Sequence, residues 1–254
     1  MHSLFVYNKL PSNFFALGLH AREWISPATV TYIMLQLVEF RDWHPELIDS
    51  VDWYFMPVAN PDGYEYSHST DRLWRKTRSG AKADQRWGKR KCYGVDPNRN
   101  WDFHWGEGST SSSDPCTDDY RGPWAFSEPE TKAMADFILT RKDQIKIYLT
   151  LHSYSQMWLV PWGYKNEKPK DYYNMYVLAE KGVEALQAVR GTDYLLGTAA
   201  ELLYTSSGMV SNGSVNLLAS LDVQATQKLL RLIHDNHTAE INTKKYTAFD
   251  NTRA

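Results

Sequence analysis

The chain has 254 residues, enough to bury a sizeable core as one large α/β domain or two small ones. Hydrophobic residues make up 43% and aromatics 14%, including 10 Trp and 16 Tyr, which excludes a disordered or low-complexity protein. A net charge of −2 gives no general attraction to nucleic acid or to an anionic membrane, and no window is long and apolar enough to cross a bilayer.

The chain opens with "MHSLFVYNKLPSNFF", which has no basic segment with a long apolar stretch behind it and reads as a poor signal peptide. "NFFALGL" reads as a short buried strand. Ser26 as N-cap and Pro27 at the first helical position then open a helix, with Val30, Ile33, Met34, Leu37 and Val38 as its apolar stripe. "SVDWYFMPVAN" predicts a strand that ends at the turn "NPDG". The basic run over residues 71–92 reads as a solvated loop. A capping box from Ser127 to Glu130 starts a helix that buries Ala133, Met134, Phe137 and Ile138. "IKIYLTLHS" is a further strand, and "DYYNMYVLAEKGVEALQAV" a further amphipathic helix. This alternation predicts an α/β sheet with helices on both faces. After Gly208 the pattern changes to a weak helical stretch, 221–233, and polar sequence with two glycosylation triplets at Asn212 and Asn236.

Cys92 and Cys116 both lie in polar, Gly/Ser-rich sequence without a C-x-x-C partner, which argues against a cysteine metal site. One disulfide across a long surface loop, formed in an oxidising compartment, is the preferred reading, with two free thiols as the alternative.

The chemistry-bearing residues start with His20 and Glu23, three apart in "GLHAREW", just past a strand where open α/β sheets place ligands. His152 ends the apolar strand "IKIYLTL", where an unpaired polar ring is costly. Two histidines and a glutamate leave a fourth position open, the pattern of a catalytic zinc site. Asp96 in "GVDPNRNWD" is placed to orient His20 from outside that shell. Arg99 offers a planar fork that matches a carboxylate, Asn98 adds a donor, and Arg75 is placed to stabilise a developing oxyanion. Each residue alone also fits a bland role, a surface arginine or a core histidine bonded to backbone.

From about Gly18 to Gly208 the sequence resembles the zinc carboxypeptidases of the carboxypeptidase A and B family, above all insect-type digestive members. "GLHAREW", "NPDGYEYSHSTDRLWRKTRS", "GVDPNRNWDFHWG", "SEPETKA" and "LHSYSQMWLVPWGY" carry the likeness. It implies a mixed parallel/antiparallel sheet with helices on both faces and one zinc ion per chain. The ligands would be His20, Glu23 and His152, the set that carboxypeptidase A uses. Asp96 would orient His20, Arg75 would serve as the catalytic oxyanion arginine, and Asn98 and Arg99 would bind the substrate's terminal carboxylate. Arg22 and Tyr154 would line the subsites, and Cys92 would pair with Cys116. The implied protein is a secreted monomer that hydrolyses the last bond of peptides with a free C-terminus.

The sequence also departs from the family. The glutamate general base in a strand reading roughly Phe/Ile-Glu-Leu-Arg-Asp is not found. Glu240 is the only glutamate after Gly208, and the base stays unassigned. The closing tyrosine loop, the pocket-floor residue and the first strands are likewise not found. The resulting expectation is a partial catalytic domain over 1–208 and a divergent tail over 209–254. A catalytically impaired zinc- or peptide-binding relative is the alternative, and a zinc amidohydrolase acting on N-acyl amino acids is a more distant one.

Overall fold

The computed structural model describes residues 11–210, apart from 17, 44, 50, 81, 84–90 and 109–110. The elements run β1 (Ser12–Ala16), α1 (Ile25–Glu39), α2 (Pro45–Asp49), β2 (Asp52–Met56), α3 (Pro61–Ser69), β3 (Lys82–Ala83) and β4 (Lys91–Cys92). They continue with α4 (Pro129–Thr140), β5 (Ile145–Thr150), β6 (Met157–Val160), α5 (Tyr172–Arg190), β7 (Leu195–Thr198) and α6 (Ala199–Leu202).

Three parallel strands in the order β2-β1-β5 form the sheet that positions the site. Successive strand side chains leave opposite faces, so Phe14 and Phe15 seed two separate cores. Phe14 packs with Tyr54, Tyr148 and the α4 residues Met134, Ala135 and Ile138. Phe15 packs with Trp53, Phe55 and Leu149, with Val30, Ile33 and Leu37 of α1 and with Leu47 of α2. The sheet therefore carries helices on both faces, as the alternating pattern predicts. β6 and β7 make a second parallel pair against α5. Antiparallel pairing among the described residues is confined to the two-residue ladder of β3 and β4.

Local details differ from the sequence reading. Helix α1 starts at Ile25, and Trp24 is its N-cap, with no side-chain capping bond. Ser26 lies inside the first turn, and Pro27 costs nothing there because first-turn N–H groups have no helical partner. Val30, Ile33 and Leu37 face the core, whereas Val38 is 72% exposed. The predicted capping box is absent: Glu128 is the N-cap of α4 and makes no side-chain cap. Ser127 instead donates to Glu128 and accepts from Asn100, and Ala135 rather than Ala133 turns inward. The described part of the basic run is anchored, not merely solvated. Lys76 and Thr77 are buried, and Arg78 stacks 3.7 Å from the Tyr66 ring centre. Residues 211–254, both glycosylation triplets and the 221–233 stretch lie outside the described residues.

A disulfide joins Cys92 of β4 to Cys116, 24 positions later, and resolves the choice left open by the sequence. Phe14→Ala removes a fully packed ring and should cost about 3–5 kcal/mol. Val38→Ala should stay within about 0.5 kcal/mol. Urea melts of both variants check this, and similar costs for the two would contradict the two-faced core.

Candidate active site

The site grows from the carboxyl ends of neighbouring strands. Parallel pairing sets Ala16 of β1 beside Thr150 of β5, so His20 and His152 leave the same edge of the sheet. Gly18 turns the chain there with φ +65°, and a Cβ at that position would meet Pro57 O at 3.0 Å. The loop then folds tightly, with Glu23 N donating to His20 O at 3.2 Å and Ser26 N to Glu23 O at 3.0 Å. That turn brings the imidazole and the carboxylate onto one side.

The metal-type donors converge. His20 Nδ1 lies 2.8 Å from Glu23 Oε1, and His152 Nδ1 lies 2.8 Å from Glu23 Oε2. The two Nδ1 atoms are 3.0 Å apart, and all three ligand atoms fall within 4.8 Å of one another. His20 Nε2 meets Asp96 Oδ1 at 3.1 Å. A carboxylate only accepts, so Nε2 of a neutral His20 carries the proton and Nδ1 presents a lone pair. That lone pair faces the Glu23 oxygen, with no proton of its own between two acceptors. A cation at that point satisfies both. Two imidazoles and a carboxylate suit zinc, so the residues fit the metal expected from sequence.

Asp96 is fully buried and is the hub of the surrounding network. Arg75 reaches its Oδ2 through Nε at 3.0 Å and Nη2 at 2.9 Å, and the backbone N–H of Asn98 donates to Oδ1 at 2.9 Å. Burial alone would raise the Asp96 carboxyl, but Arg75, His20 and Arg99 outweigh it and hold it well below the usual carboxylate range. Burial likewise works against ionised Glu23, and its interactions with His152 and His20 overcome it, so this carboxyl also ionises well below its ordinary value. Burial lowers His152 from its ordinary value near 6.5. Arg75 keeps Nη1 turned toward the triad, 3.8 Å from Glu23 Oε1.

Arg99 is 3% exposed. Its Nη1 donates to Asn98 O at 2.8 Å, and its Nη2 donates to the Tyr204 hydroxyl at 2.9 Å. Asn98 accepts from Val210 N at 3.1 Å, which fixes which end of its amide is the acceptor. Two expected subsite residues are not drawn to the triad. Arg22 pairs with Asp118 at 2.9 Å, and Tyr154 is 95% exposed. The general base stays unassigned, since no glutamate matching the family's strand is found in the sequence, and residues 211–254 lie outside the described residues.

Three residues beyond that set matter. Asn60 is fully buried, donates to Leu19 O at 3.1 Å and Lys76 O at 3.0 Å, and accepts from Gly63 N. It ties the His20 loop to the Arg75 segment. Its place in "NPDG" marks a turn, but no local pattern reveals the reach of its amide. Arg72 lies 3.7 Å from the Trp24 ring centre and donates to Arg22 O at 2.8 Å, clamping the Glu23 turn. Tyr204 gives no signal in the sequence, since its contact with Arg99 spans 105 positions.

A family model described as zinc carboxypeptidase (Peptidase M14) matches residues 7–222. The chain belongs to the zinc carboxypeptidase family. It is 47% identical over 191 residues to carboxypeptidase B of Astacus astacus, and 45% identical over 192 residues to a zinc carboxypeptidase of Simulium vittatum. Both matches cover 75% of this chain and 61% of the relative, so the chain spans about three fifths of their length. Carboxypeptidase A from Helicoverpa armigera superposes with a TM-score of 0.76 at 28% identity, over 93% of this chain and 63% of that one. Bovine thrombin-activatable fibrinolysis inhibitor, solved with a tick carboxypeptidase inhibitor, gives 0.75 at 30% identity, over 92% and 84%. These likenesses agree with the fold expected from sequence.

Two outcomes follow from the network. Asp96→Asn should weaken zinc affinity about 10- to 100-fold, because the partner that fixes the His20 ring is lost. Competition against a chelator measures it, and unchanged affinity would remove Asp96 from the orienting role. Glu23, Asp96 and His152 all bind protons more readily when unfolded, so the metal-free protein gains stability with rising pH. Its Tm should fall as pH drops below about 6.5, the His152 window, and more steeply below about 4.5, the carboxylate window. A Tm flat from pH 8 to pH 4 would contradict this.

Proposed function

We propose that the chain is a zinc metallocarboxypeptidase that removes the C-terminal residue of peptides and proteins. One observation carries the reading: the buried carboxylate of Asp96 bonds both His20 of the converging His20–Glu23–His152 triad and Arg75, with Arg99 4.0 Å away. When bound, zinc would supply Lewis-acid polarisation of a carbonyl and activation of water at the triad. The residues of the chain do the rest. Arg99 and Asn98 receive the free terminal carboxylate and set the register of the last peptide bond. Arg75, held by Asp96 through two nitrogens, offers Nη1 to the carbonyl oxygen as it gains charge. Asp96 holds the proton on His20 Nε2 and so keeps Nδ1 a ligand.

The substrate class is then peptides and proteins with a free C-terminus, irrespective of their N-terminal end. The Cys92–Cys116 disulfide supports an extracellular setting. No helix among the described residues is long and apolar enough to cross a membrane.

The zinc-loaded chain should release C-terminal amino acids from blocked dipeptides and spare the corresponding C-terminal amides. Arg99→Ala should lower kcat/KM for the free acid by about 10- to 100-fold, the loss of charged hydrogen bonds to the carboxylate. Zinc binding without turnover would favour the non-catalytic relative, and preference for N-acyl amino acids would favour an amidohydrolase.

A further inference from the structure

Two loops of the site meet at one buried amide. Asn60 is fully buried and caps helix α3, its Oδ1 accepting from Gly63 N at 3.0 Å. That bond fixes which end of the side chain is the acceptor, so Nδ2 has two hydrogens to give. Both find carbonyls, Leu19 O at 3.1 Å and Lys76 O at 3.0 Å. The backbone of the same residue is used as well, with Asn60 N donating to Gly18 O at 3.1 Å and Tyr64 N donating to Asn60 O at 3.0 Å. An N-cap needs only an acceptor. The two donated bonds go beyond capping.

The two carbonyls belong to residues next to the chemistry. Leu19 precedes His20, and Lys76 follows Arg75. Asp96 joins His20 and Arg75 by their side-chain tips, through His20 Nε2 at 3.1 Å and Arg75 Nη2 at 2.9 Å. Asn60 joins the same two segments by their backbones. One backbone bond adds to it, Ala21 N to Arg75 O at 3.1 Å, whereas the Arg22–Leu73 O and Arg72–Arg22 O bonds lie at the surface. Gly63 makes room for this brace, since a Cβ there would meet both Asn60 Nδ2 and Lys76 O at 2.5 Å. Asp96 thus orients the two tips, and Asn60 fixes the bases from which they extend.

We infer that Asn60 is a positioning residue, which holds the Arg75 segment against the His20 loop and so sets where Arg75 Nη1 stands relative to the triad. This rests on the reading of Arg75 as the oxyanion donor and adds a fully buried residue that acts through it. A preorganised donor helps only when it meets the oxygen at hydrogen-bond length as charge develops. Arg75 Nη1 lies 3.8 Å from Glu23 Oε1, so a small drift of its backbone decides whether it reaches an oxygen bound there. The His20 ring is less dependent on the brace, because Asp96 and Glu23 hold its two nitrogens. Loss of the brace therefore costs binding of the charged, tetrahedral state and spares the binding of zinc and of ground-state ligands.

The experiment compares the zinc-loaded wild-type chain with Asn60→Ser and Gly63→Ala. Serine keeps a good N-cap acceptor but is too short to donate to Leu19 O and Lys76 O. The methyl of Gly63→Ala wedges the brace apart while the Asn60 side chain stays intact. Thermal melts confirm folding, and competition against a chelator measures zinc affinity. Calorimetric titrations use an N-acetyl amino acid as the ground-state probe and a dipeptide phosphonate, whose anionic tetrahedral group imitates the charged oxygen beside Arg75. The inference expects each variant to bind the phosphonate about 10- to 100-fold more weakly, with zinc and the N-acetyl amino acid held within about 3-fold. A wild-type preference for the phosphonate that survives unchanged in the folded variants would overturn the inference and leave the Arg75 reading intact. Equal losses for zinc, acid and phosphonate would mark a general loosening of the fold and overturn it too. A wild-type chain that binds both probes alike would remove the oxyanion reading of Arg75 and this inference together.

Discussion

The site depends on one buried carboxylate. Asp96 has no solvent exposure and takes bonds from His20, from two nitrogens of Arg75 and from the Asn98 backbone. A buried charge left unpaired is among the most costly defects a fold can carry, so those partners are held as firmly as Asp96 is. Each partner has a second end with work to do. His20 turns Nδ1 toward the triad, Arg75 turns Nη1 the same way, and Arg99 lies within reach of the same carboxylate. Precise placement of three functional groups thus follows from satisfying one anion.

The parallel sheet supplies the other constraint. Adjacent parallel strands end at the same edge, and their crossover connections place the following loops together. β1 and β5 are neighbours separated by well over a hundred positions, yet their register puts His20 and His152 in ring contact at 4.6 Å. Phe14 and Phe15 pin β1 from both faces, so the strand cannot slip without turning each ring to the wrong core. The register that protects the core therefore also preserves the triad.

The sequence was most legible where chemistry is local. His20 and Glu23 lie three apart after a strand, His152 ends an apolar run, and "VDPNRN" lines up an anion, a turn and a guanidinium. All of these the structure brings around Asp96, and the doubly covered α/β sheet follows the alternation of strand and helix patterns. Helix caps were less legible, because tertiary partners compete for the capping groups. Ser127 is drawn to Asn100 and Glu128, and the tight His20–Glu23 turn starts α1 before Ser26 can cap it. Val38 fits the helical period but is exposed and takes no part in the core cluster of that face. Least legible were contacts made by long-range folding alone. The Asn60 brace, the Arg72–Trp24 clamp and the Tyr204–Arg99 bond have no periodic or motif signature.

Charge balance links these features to the chemistry. With neutral histidines, Glu23 and Asp96 offset Arg75 and Arg99, so the protein groups of the site sum to zero. A divalent cation in the triad leaves the site two charges positive. On the proposed reading, a substrate carboxylate at Arg99 would cancel one of them, and an oxygen gaining charge beside Arg75 would cancel the other. On that reading, attraction would grow toward the transition state, because the second negative charge would exist only there. A C-terminal amide brings no charge to Arg99, so the site would stay electrostatically mismatched throughout. On the proposed reading, discrimination between acid and amide would thus be built into the same charge count that would favour catalysis.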